Sequence, residues 1–393
     1  MLYTHFIGEI LGTQGVKLTG EEFIEKTYRI QVELPRKAHV CPVCGEETDA
    51  IHDYRVQEIK AGETNGYLMV VKYRKRRYRC EACGKRFYEK NEFIGRYKRM
   101  TKKMVLTLMN AVQGTKSFTE VARELGVSVQ TVIRHFDRKS CEKPKELPEV
   151  LGIDEFRGNA GGEKFQVILT DPANKKVQDI LPSRKESALS MYFKGFPKAE
   201  RDKVKYFVSD MYKPYLRTAE SWFPRAIFIV DRYHWIRQLF WAFENIRKRI
   251  QKRFGKNHRL YFKRSRKLLL KRFRTFNDDE KQQVLNILNL SPDLNTAYFY
   301  KERLQEILDL EDPNAQKKQF IAMTDGMKQC GIYELERCAD TYYNWLSGIL
   351  ASFDYPYSNG YTEGMNNKIK VLKRNAYGYR NFRRNRKRIL LMA

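Results

Sequence analysis

The sequence predicts a multidomain protein with a small β domain, a short all-α domain and an α/β domain that a helical segment interrupts. Up to about residue 95, short alternating runs lie between Gly, Pro and Cys clusters, a pattern typical of small β structure. Residues from about 100 to 140 have the periodicity of consecutive short helices. From Val150 onwards, strand patterns come first and then alternate with helices, which indicates a mixed sheet covered by helices.

The α/β pattern defines its elements in more detail. Strands are predicted at 150–156, 165–170, 177–181, 204–208 and 226–230, with helices at 185–193 and 212–222. After Asp231 the strand patterns disappear for more than a hundred residues, and long helices with charged faces are predicted as far as residue 353. We therefore expect a basic helical insertion at 236–353, inside the α/β domain.

The charge of the chain indicates a polyanionic partner. It has 75 basic and 47 acidic side chains, a formal net charge of +28, which is more than solubility requires. A membrane surface is the rival polyanion, but no apolar run reaches the ~18 residues of a transmembrane helix, and no secretory-signal pattern is visible. Nucleic acid is therefore the expected partner, without a membrane, and we expect a cytoplasmic protein.

Four of the seven cysteines form two matched Cys-x-x-Cys-Gly knuckles, Cys41 with Cys44 and Cys80 with Cys83. Two-residue spacing lets both thiolates of a knuckle reach one tetrahedral ion. The two pairs together predict a closed four-sulfur site for structural Zn²⁺, and the gap between them predicts an intervening β-hairpin, as in a zinc ribbon. Redox dithiols or unrelated cysteines are the alternatives.

Just before the second knuckle, residues 72–79 interleave basic residues with tyrosines. Phosphate contact combined with stacking on sugar or base faces suits this composition. We predict DNA contacts from Arg74, Arg76 and Arg77. An exposed hairpin strand without a ligand is the alternative.

Residues 117–136 have the pattern of a helix-turn-helix. We expect Thr119 to cap the first helix, Gly126 to make the turn and Ser128 to cap the second helix. A structural helical hairpin is the alternative. The apolar face of the second helix would hold Val132, Ile133 and Phe136. The residues on outward or flanking faces, which would meet the major groove, are Gln130, Thr131, Arg134 and His135.

Three acidic residues in separate elements are the main catalytic candidates. Asp154 closes an apolar run that predicts a strand, Asp210 follows another such run, and Glu363 opens a segment of helical character. Oxygen ligands that converge from separate elements suit a pair of divalent metal ions. Each acid alone would be an ordinary cap or loop residue. Glu155 should point to the other side of its strand, which makes it a weaker ligand candidate.

Two further patterns accompany these acids. A helix from Glu363 would carry Lys370 and Arg374 on the same face, at i+7 and i+11, where they would follow a nucleic-acid backbone. Asp231 and His234 end the last predicted strand. They are candidates for an auxiliary ligand and an auxiliary catalytic group, although a structural histidine is the commoner arrangement.

Two basic stretches complete the pattern. Residues 245–276 contain many bases and no acid, and the tail at 380–388 repeats this composition. Because a solvated helix face normally mixes charges of both signs, we expect both stretches to bind phosphate without reading sequence.

The order of these motifs resembles the bacterial insertion-sequence transposases of the ISL-three type, over essentially the whole chain. The most specific part is the segment 359–370, Asn-Gly-Tyr-Thr-Glu-Gly-Met-Asn-Asn-Lys-Ile-Lys. The resemblance implies an RNase H-like catalytic domain in which Asp154, Asp210 and Glu363 take the places of the DDE triad. Asp231 and His234 are similar to the Asp-x-x-His element of DDE transposases with helical insertions.

The motifs and the resemblance together predict a DNA transposase. Two Mg²⁺ ions held by the triad would serve strand cleavage and strand transfer. The zinc ribbon and the helix-turn-helix would recognise terminal inverted repeats in double-stranded DNA. Because two DNA ends must be paired, we expect a homodimer or a larger synaptic assembly, associated with the bacterial nucleoid. A catalytically inactive DNA-binding regulator and a structure-selective nuclease are the alternatives.

The predicted division of the chain follows from these motifs. The zinc ribbon would occupy 1–95, the helix-turn-helix 96–142 and a linker 143–149. The RNase H-like domain would combine 150–235 with 354–393, and the basic helical insertion would occupy 236–353.

Overall fold

The computed structural model of the chain describes residues 7–9, 11–12, 15–95, 97–255, 259 and 262–393. These residues form two compact units. The first contains the described residues up to Glu142 together with 368–379 and 383–392, and the second contains 143–367 with 380–382 and 393. The C-terminal segment, which the sequence groups with the catalytic domain, is therefore divided between the two units.

A five-stranded sheet dominates the first unit. Its strands are β1 (Lys17–Ile24) and β2 (Thr27–Glu33), then, after the short pair β3 (His39–Val40) and β4 (Glu47–Thr48), the long hairpin β5 (Ile51–Thr64) and β6 (Tyr67–Arg79), and β7 (Arg86–Tyr88). The order is β1-β2-β6-β5, with β7 against β6, and only the β2–β6 pair is parallel among the described strands of this sheet. The β5–β6 hairpin turns at Asn65 and Gly66, both with positive φ, as a two-residue type I′ turn requires. It is the hairpin that the cysteine spacing predicts.

A buried ion-pair network holds the end of this sheet. Arg76 donates to Glu33 at 3.0 Å and to Glu89 at 3.2 Å. It also donates to the carbonyl of Leu34 at 2.6 Å, and Tyr73 donates to Glu89 at 2.6 Å. Only 6% of Arg76 is exposed. The prediction that Arg76 contacts DNA is therefore wrong, because two carboxylates and a carbonyl enclose its guanidinium.

Arg74 and Arg77 remain at the surface. Arg74 pairs with Glu33 at 2.6 Å and lies over the ring of Tyr54 at 3.8 Å. Arg77 pairs with Asp53 at 3.3 Å. Their contact with DNA stays a prediction.

Three short helices follow the sheet, at Lys102–Ala111, Phe118–Glu124 and Val129–Arg138. The last two form the predicted helix pair, with Gly126 at φ +60° in the turn and Ser128 as the cap of the second helix. The first helix of this pair, Phe118–Glu124, begins two residues earlier than expected. Ser117, and not Thr119, caps it in a reciprocal capping box with Glu120.

The C-terminal helix Phe382–Met392 packs against this helix pair. Its Leu391 contacts the apolar cluster that contains the buried Val132 and Phe136, whereas Ile133 is only half-buried and leaves the predicted apolar face incomplete. Arg388 is fully buried and donates to the carbonyl oxygens of Gly114, at 3.1 Å, and Lys116. Packing of this kind fixes the C-terminal helix to the first unit.

Further basic residues of the C-terminal helix hold the end of the helix Val129–Arg138. Arg384 forms a bidentate pair with Asp137, at 2.7 to 3.1 Å. Lys387 donates to the carbonyl oxygens of Phe136 and Asp137, at 3.3 and 3.0 Å. The prediction that this tail as a whole binds phosphate is therefore wrong, because several of its cations satisfy carbonyl and carboxylate groups of the protein itself.

The second unit contains the predicted mixed sheet. Its strands are β8 (Val150–Arg157), β9 (Phe165–Asp171), β10 (Lys176–Leu181), β11 (Tyr206–Ser209) and β12 (Ile227–Val230), in the order β10-β9-β8-β11-β12. β8, β9 and β10 are antiparallel neighbours, whereas β11 is parallel to both β8 and β12. Helices Glu186–Lys194, Lys198–Arg201 and Lys213–Trp222 connect the strands. All five strands lie within two residues of the predicted bounds.

The segment predicted as a helical insertion consists of helices in its described residues. Its helices are Arg232–Gln251, Arg266–Leu270, Asp278–Leu288, Pro292–Asp309, Pro313–Gln329, Tyr333–Asn344 and Leu346–Asp354. They share one apolar core, which includes Trp235, Phe243 and Tyr342 and continues into Val230 of β12. The chain then returns to the sheet and enters the helix Gly360–Asn375, whose first half lies in the second unit.

Much of the basic stretch 245–276 is used inside the insertion. Several of its cations pair with acids that lie outside the stretch: Arg247 and Arg266 with Glu244, Arg249 with Asp293 and Glu334, Lys271 with Glu280, and Arg272 and Arg274 with Asp309. These pairs leave fewer of its cations available to phosphate, and phosphate binding by the rest of the stretch stays a prediction. Residues 256–258, 260 and 261 of it lie outside the described residues.

Among the helices of the described residues, none is both long and apolar enough to cross a membrane.

Arg76→Met is expected to destabilise the protein by about 3 kcal/mol, because it leaves Glu89 buried without its cation. The matched change Arg74→Met, in the same strand but at an exposed pair, should cost less than about 1 kcal/mol. Urea denaturation of the full chain measures both. Equal losses for the two variants would contradict the buried network.

Candidate functional site

Three aspartates meet where the parallel strands of the second unit end. Val208 of β11 pairs with Gly152 of β8, so Asp210 follows the ladder at the level of Asp154. Ser209 pairs with Val230 of β12, and the backbone N–H of Asp231 donates to the carbonyl of Ser209 at 2.8 Å. The register of the sheet therefore places Asp154, Asp210 and Asp231 on three adjacent strands at one edge.

Glu363 reaches this edge because its helix is anchored on β8. The backbone N–H of Asn359 donates to Asp231 at 2.9 Å, and its side chain donates to the carbonyl of Ile153 at 3.0 Å. The hydroxyls of Thr362 and Thr170 are 2.7 Å apart. These contacts fix the start of the helix Gly360–Asn375 beside the aspartates.

Gly152 makes this close approach possible. A Cβ atom at this position would lie 2.5 Å from Oγ1 of Thr170 and 3.0 Å from Oδ1 of Asn359, which is closer than carbon and oxygen atoms tolerate. A glycine in β8 is therefore needed for the helix that carries Glu363 to dock.

The acids form two adjoining groups. Ligand atoms of Asp154, Glu155 and Asp210 lie within 4.8 Å of one another, and so do those of Asp231, His234 and Glu363. Nε2 of His234 is 3.7 Å from Oε1 of Glu363 and 4.0 Å from Oδ2 of Asp231. The structure thus brings Asp154 and Asp210 together, as predicted, and places Glu363 with Asp231 and His234. The charges of Glu363 and Asp231 act on Asp154, so the two groups belong to one site.

Glu155 belongs to the first group, contrary to the expectation that it points away. Because β11 ends at Ser209, the edge of β8 beyond Gly152 is unpaired on that side, and a side chain from either face can reach Asp210. Tyr215 donates to Glu155 at 2.9 Å and Arg184 at 2.5 Å. Alternation along β8 was a poor guide here because Asp210 lies beyond the end of β11, where side chains from both faces of β8 can reach it.

Asn366 is a site residue that the sequence analysis missed. Its side-chain amide donates to Oδ2 of Asp154 at 2.8 Å, and only 6% of the residue is exposed. Asn366 lies three residues after Glu363, so helical periodicity places it on the same face of the helix as Glu363. The same periodicity was used to predict Lys370 and Arg374. The signal was present in the Asn-Asn pair at 366–367.

Burial has raised the pKa values of the central carboxyls. Desolvation raises the pKa of Asp154 to about 7, and the charges of Glu155, Glu363 and Asp231 add to this effect. Desolvation also raises the pKa of Asp210 to about 7, with contributions from Glu155 and Asp154. The cost of burying like charges is the physical cause in both cases.

Among the residues that the structure describes, none donates a hydrogen bond to two buried oxygens of the site. They are Oδ1 of Asp210 and Oδ2 of Asp231. Native proteins rarely leave buried carboxylate oxygens without a partner, and hard divalent cations take oxygen ligands. The donor set therefore fits the divalent metal ions that the sequence predicts.

The four knuckle cysteines converge as a second metal-binding group. Their Sγ atoms all lie within 4.8 Å of one another, with 3.6 Å between Cys41 and Cys83 and 3.4 Å between Cys44 and Cys80. Tetrahedral Zn²⁺ with bonds of ~2.3 Å would separate its sulfurs by about 3.8 Å. The backbone N–H groups of Cys44 and Val43 lower the pKa of the Cys41 thiol to about 6.

The outward residues of the helix-turn-helix differ in their availability. Gln130 and Arg134 are exposed. The hydroxyl of Thr131 lies 2.9 Å from that of Ser128, within the helix cap. His135 is half-buried, and burial together with the charges of Arg138, Lys98 and Arg134 lowers its pKa. On the helix Gly360–Asn375, Lys370 and Arg374 are both exposed.

Asp210→Asn is expected to stabilise the metal-free protein more at pH 8 than at pH 5. A carboxyl with a raised pKa contributes stability that is complete below its ordinary value of 3.8 and is lost as the pH rises through about 7. Because about two pH units separate pH 5 from the folded-state pKa of about 7, removing the charge should gain about 3 kcal/mol more at pH 8 than at pH 5. Thermal unfolding with a chelator at both pH values measures the difference. A matched change, Asp202→Asn at a surface pair with Arg225, should show no such pH dependence, and equal behaviour of the two variants would contradict the buried charge.

Cys80→Ser should lower the zinc content of the purified protein from one ion per chain to well below one, because three sulfurs no longer close the site. Cys141→Ser, at a half-buried cysteine outside the knuckles, is the control and should retain zinc. Elemental analysis of both variants measures the content. Full occupancy in Cys80→Ser would contradict the four-sulfur site.

Three protein-family models match successive parts of the chain. Residues 151–389 match a family described as a transposase, and residues 37–83 match the zinc-finger of transposase IS204/IS1001/IS1096/IS1165. Residues 89–138 match the helix-turn-helix domain of transposase family ISL3. The zinc-finger match contains the four clustered cysteines, so the first unit carries a zinc ribbon with a structural zinc site.

Two curated proteins are similar to the chain over very different lengths. The transposase for insertion sequence element IS1001 of Bordetella parapertussis is 27% identical over 392 residues, which is 97% of this chain and 96% of that protein. An ATP-dependent protease of Lactococcus lactis subsp. lactis is 47% identical over only 51 residues, 13% of this chain and 16% of that protein. The transposase match alone spans both units, and the transposase family model covers more than half of the sequence. The chain therefore belongs to the ISL3 family of transposases.

Proposed function

We propose that the protein catalyses metal-dependent cleavage and strand transfer of the DNA ends of an insertion sequence. The observation that carries the proposal is the convergence of Asp154, Glu155, Asp210, Asp231 and Glu363 at one sheet edge. Raised carboxyl pKa values and unpartnered buried oxygens at this edge suit a pair of divalent ions. The fold of the domain that holds the acids is, in this proposal, RNase H-like.

Asp154, Asp210 and Glu363 would hold the Mg²⁺ ions, and Asp231 is the candidate for a further ligand. When bound, Mg²⁺ activates water or a 3′-hydroxyl and stabilises the leaving oxygen of a phosphodiester. Asn366 donates to Oδ2 of Asp154 and the backbone N–H of Glu155 donates to Oδ1, both at 2.8 Å. These two hydrogen bonds orient the carboxylate, and each oxygen keeps a lone pair that can bind an ion. His234, 3.7 Å from Glu363, is placed to orient that carboxylate.

The remaining residues of the site position Glu155. Its two oxygens accept from Arg184 and Tyr215, so the charge of Glu155 is compensated from the protein side. Glu155 would therefore shape the field at Asp210 more than it would bind an ion itself.

DNA recognition falls to the first unit in this proposal. The helix Val129–Arg138 would enter the major groove with Gln130 and Arg134, while Thr131 and His135 flank them. Arg74 and Arg77 on the hairpin, and Lys370 and Arg374 on the helix Gly360–Asn375, would contact phosphates. The ribbon would occupy 1–95 and the helix-turn-helix 96–142, with 143–149 as a linker, and the helical insertion at 236–353 would divide the catalytic domain. Pairing of two element ends would require a homodimer or a larger assembly.

Wild-type protein with Mg²⁺ and a labelled duplex that carries the end of its own element should produce cleaved ends and end-to-target joints on a plasmid. Asp210→Asn should lower the rate of both reactions at least about 100-fold, because it removes a metal ligand. Asp202→Asn is the control and should retain wild-type rates. Denaturing gels of both products give the measurement.

The three outcomes of this assay separate the candidate functions. Joined products that depend on Asp210 support a transposase with a two-metal site. Specific binding without cleavage in either Mg²⁺ or Mn²⁺ would contradict it and indicate a DNA-binding regulator. Cleavage that depends on Asp210 but never yields joints would instead indicate a nuclease.

A further inference from the structure

The first helix of the insertion, Arg232–Gln251, presents an unusual exposed face. Only five of its side chains are exposed, at positions spaced by four, four, four and three residues: Tyr233, Arg237, Trp241, Asn245 and Lys248. This spacing places them in one row along the helix. The row, here named the exposed stripe, contains two aromatic and two basic residues and no acid.

The aromatic part of the exposed stripe is organised around Arg237. Its guanidinium lies 4.3 Å from the ring centre of Trp241 and 5.6 Å from that of Tyr233. Among the described residues Arg237 has no carboxylate within ion-pair distance, unlike Arg247 and Arg249 farther along the same helix. A cation held between two aromatic rings and free of any acid is suited to a polyanion with flat faces.

These exposed rings are not needed to fold the helix. Its opposite face already buries Trp235, Leu239, Phe243 and Ile246 completely. Trp241 is 47% exposed and Tyr233 is 53% exposed. Large aromatic groups that stay in water beside a full apolar face mark an interaction surface.

The exposed stripe starts at the catalytic acids. Asp231 is the N-cap residue of this helix, and His234, next to Tyr233, lies 3.7 Å from Glu363. At 1.5 Å per residue, Trp241 lies about 12 Å along the helix from Tyr233. Because successive nucleotides of a strand rise about 3.4 Å, this length matches roughly four nucleotides.

We propose that the exposed stripe binds unpaired nucleotides of the DNA strand that adjoins the scissile phosphate. Tyr233 and Trp241 would stack on base faces, while Arg237 and Lys248 would contact the backbone. An intact duplex offers phosphates and base edges but hides its base faces, so the two rings favour DNA that is locally unpaired. A second copy of the same chain, with its charge of +28, suits a surface with two cations and no acid less well. The assignment to the reacting strand rests on the proposed function of the acids.

The test compares two DNA probes with the full chain. One is an intact duplex, and the other is the same duplex with a single-stranded gap of about four nucleotides that contains 2-aminopurine. Trp241→Ala should weaken binding to the gapped probe about tenfold and relieve the quenching of 2-aminopurine, because a stacked base is lost. Binding to the intact duplex should change less than about twofold. Arg237→Ala should weaken binding to the gapped probe as well, and should lower the slope of its salt dependence by roughly one phosphate contact.

The chain offers a matched control in Tyr333. It is 66% exposed and also carries an arginine four residues later, with the guanidinium of Arg337 5.7 Å from its ring centre. Unlike the exposed stripe, it lies beside Glu334 and Glu336. Tyr333→Ala should bind both probes as the wild type does.

Two results would overturn the proposal. One is a Trp241→Ala protein that binds the gapped probe as tightly as Tyr333→Ala does. The other is a Trp241→Ala protein whose sedimentation changes while its DNA binding does not, which would assign the exposed stripe to contacts between copies of the chain. Cleavage and joining assays on the same preparations keep the two proposals apart. If the wild type neither cleaves nor joins but binds the gap through Trp241, only the proposed catalysis fails.

Discussion

The second unit depends on a concentration of negative charge that a protein cannot bury without compensation. Three parallel strand ends deliver aspartates to one edge, and a helix adds Glu363 beside them. Desolvation and repulsion between like charges raise the pKa values of Asp154 and Asp210 to about 7, so each carboxyl is only partly ionised at neutral pH. Such an arrangement is unfavourable in the folded state by itself. It becomes favourable when cations occupy the site, so binding and stability are linked through the same carboxylates.

The surrounding fold supports this arrangement at defined points. Gly152 leaves room for Asn359 beside β8, and Thr362 contacts Thr170 of β9. Asn359 and Thr362 together position the helix that carries Glu363. The insertion contributes in another way, because its apolar core continues into β12 and so fixes the strand that ends at Asp231. The first helix of the insertion, Arg232–Gln251, begins next to Asp231 and carries the exposed stripe along its surface. One face of the helix Arg232–Gln251 thus packs into the apolar core of the insertion, and its opposite face carries the exposed stripe.

The sequence predicted the features that depend on local spacing. The two Cys-x-x-Cys knuckles, the five strands of the second unit and the helix pair with its glycine turn all appear where their patterns place them. The features that it did not predict depend on partners distant in sequence. Arg249 pairs with Glu334, 85 residues away, and Arg384 pairs with Asp137, 247 residues away. Composition counts such cations as available to DNA, whereas the fold has already paired them. Glu155 was misjudged for a related reason, since only the register of β8 against β11 reveals that the strand edge beside it is open.

The central claim is that the converging carboxylates bind a pair of divalent ions. Anomalous diffraction from crystals soaked in Mn²⁺ tests it most directly, because Mn²⁺ has the same oxygen preference as Mg²⁺ and can be located without assumptions. The account predicts two anomalous peaks about 3.5–4 Å apart, with Asp154, Asp210 and Glu363 among their ligands. In Asp210→Asn crystals the account predicts one anomalous peak or none. An absence of peaks at these acids in well-ordered wild-type crystals would contradict it.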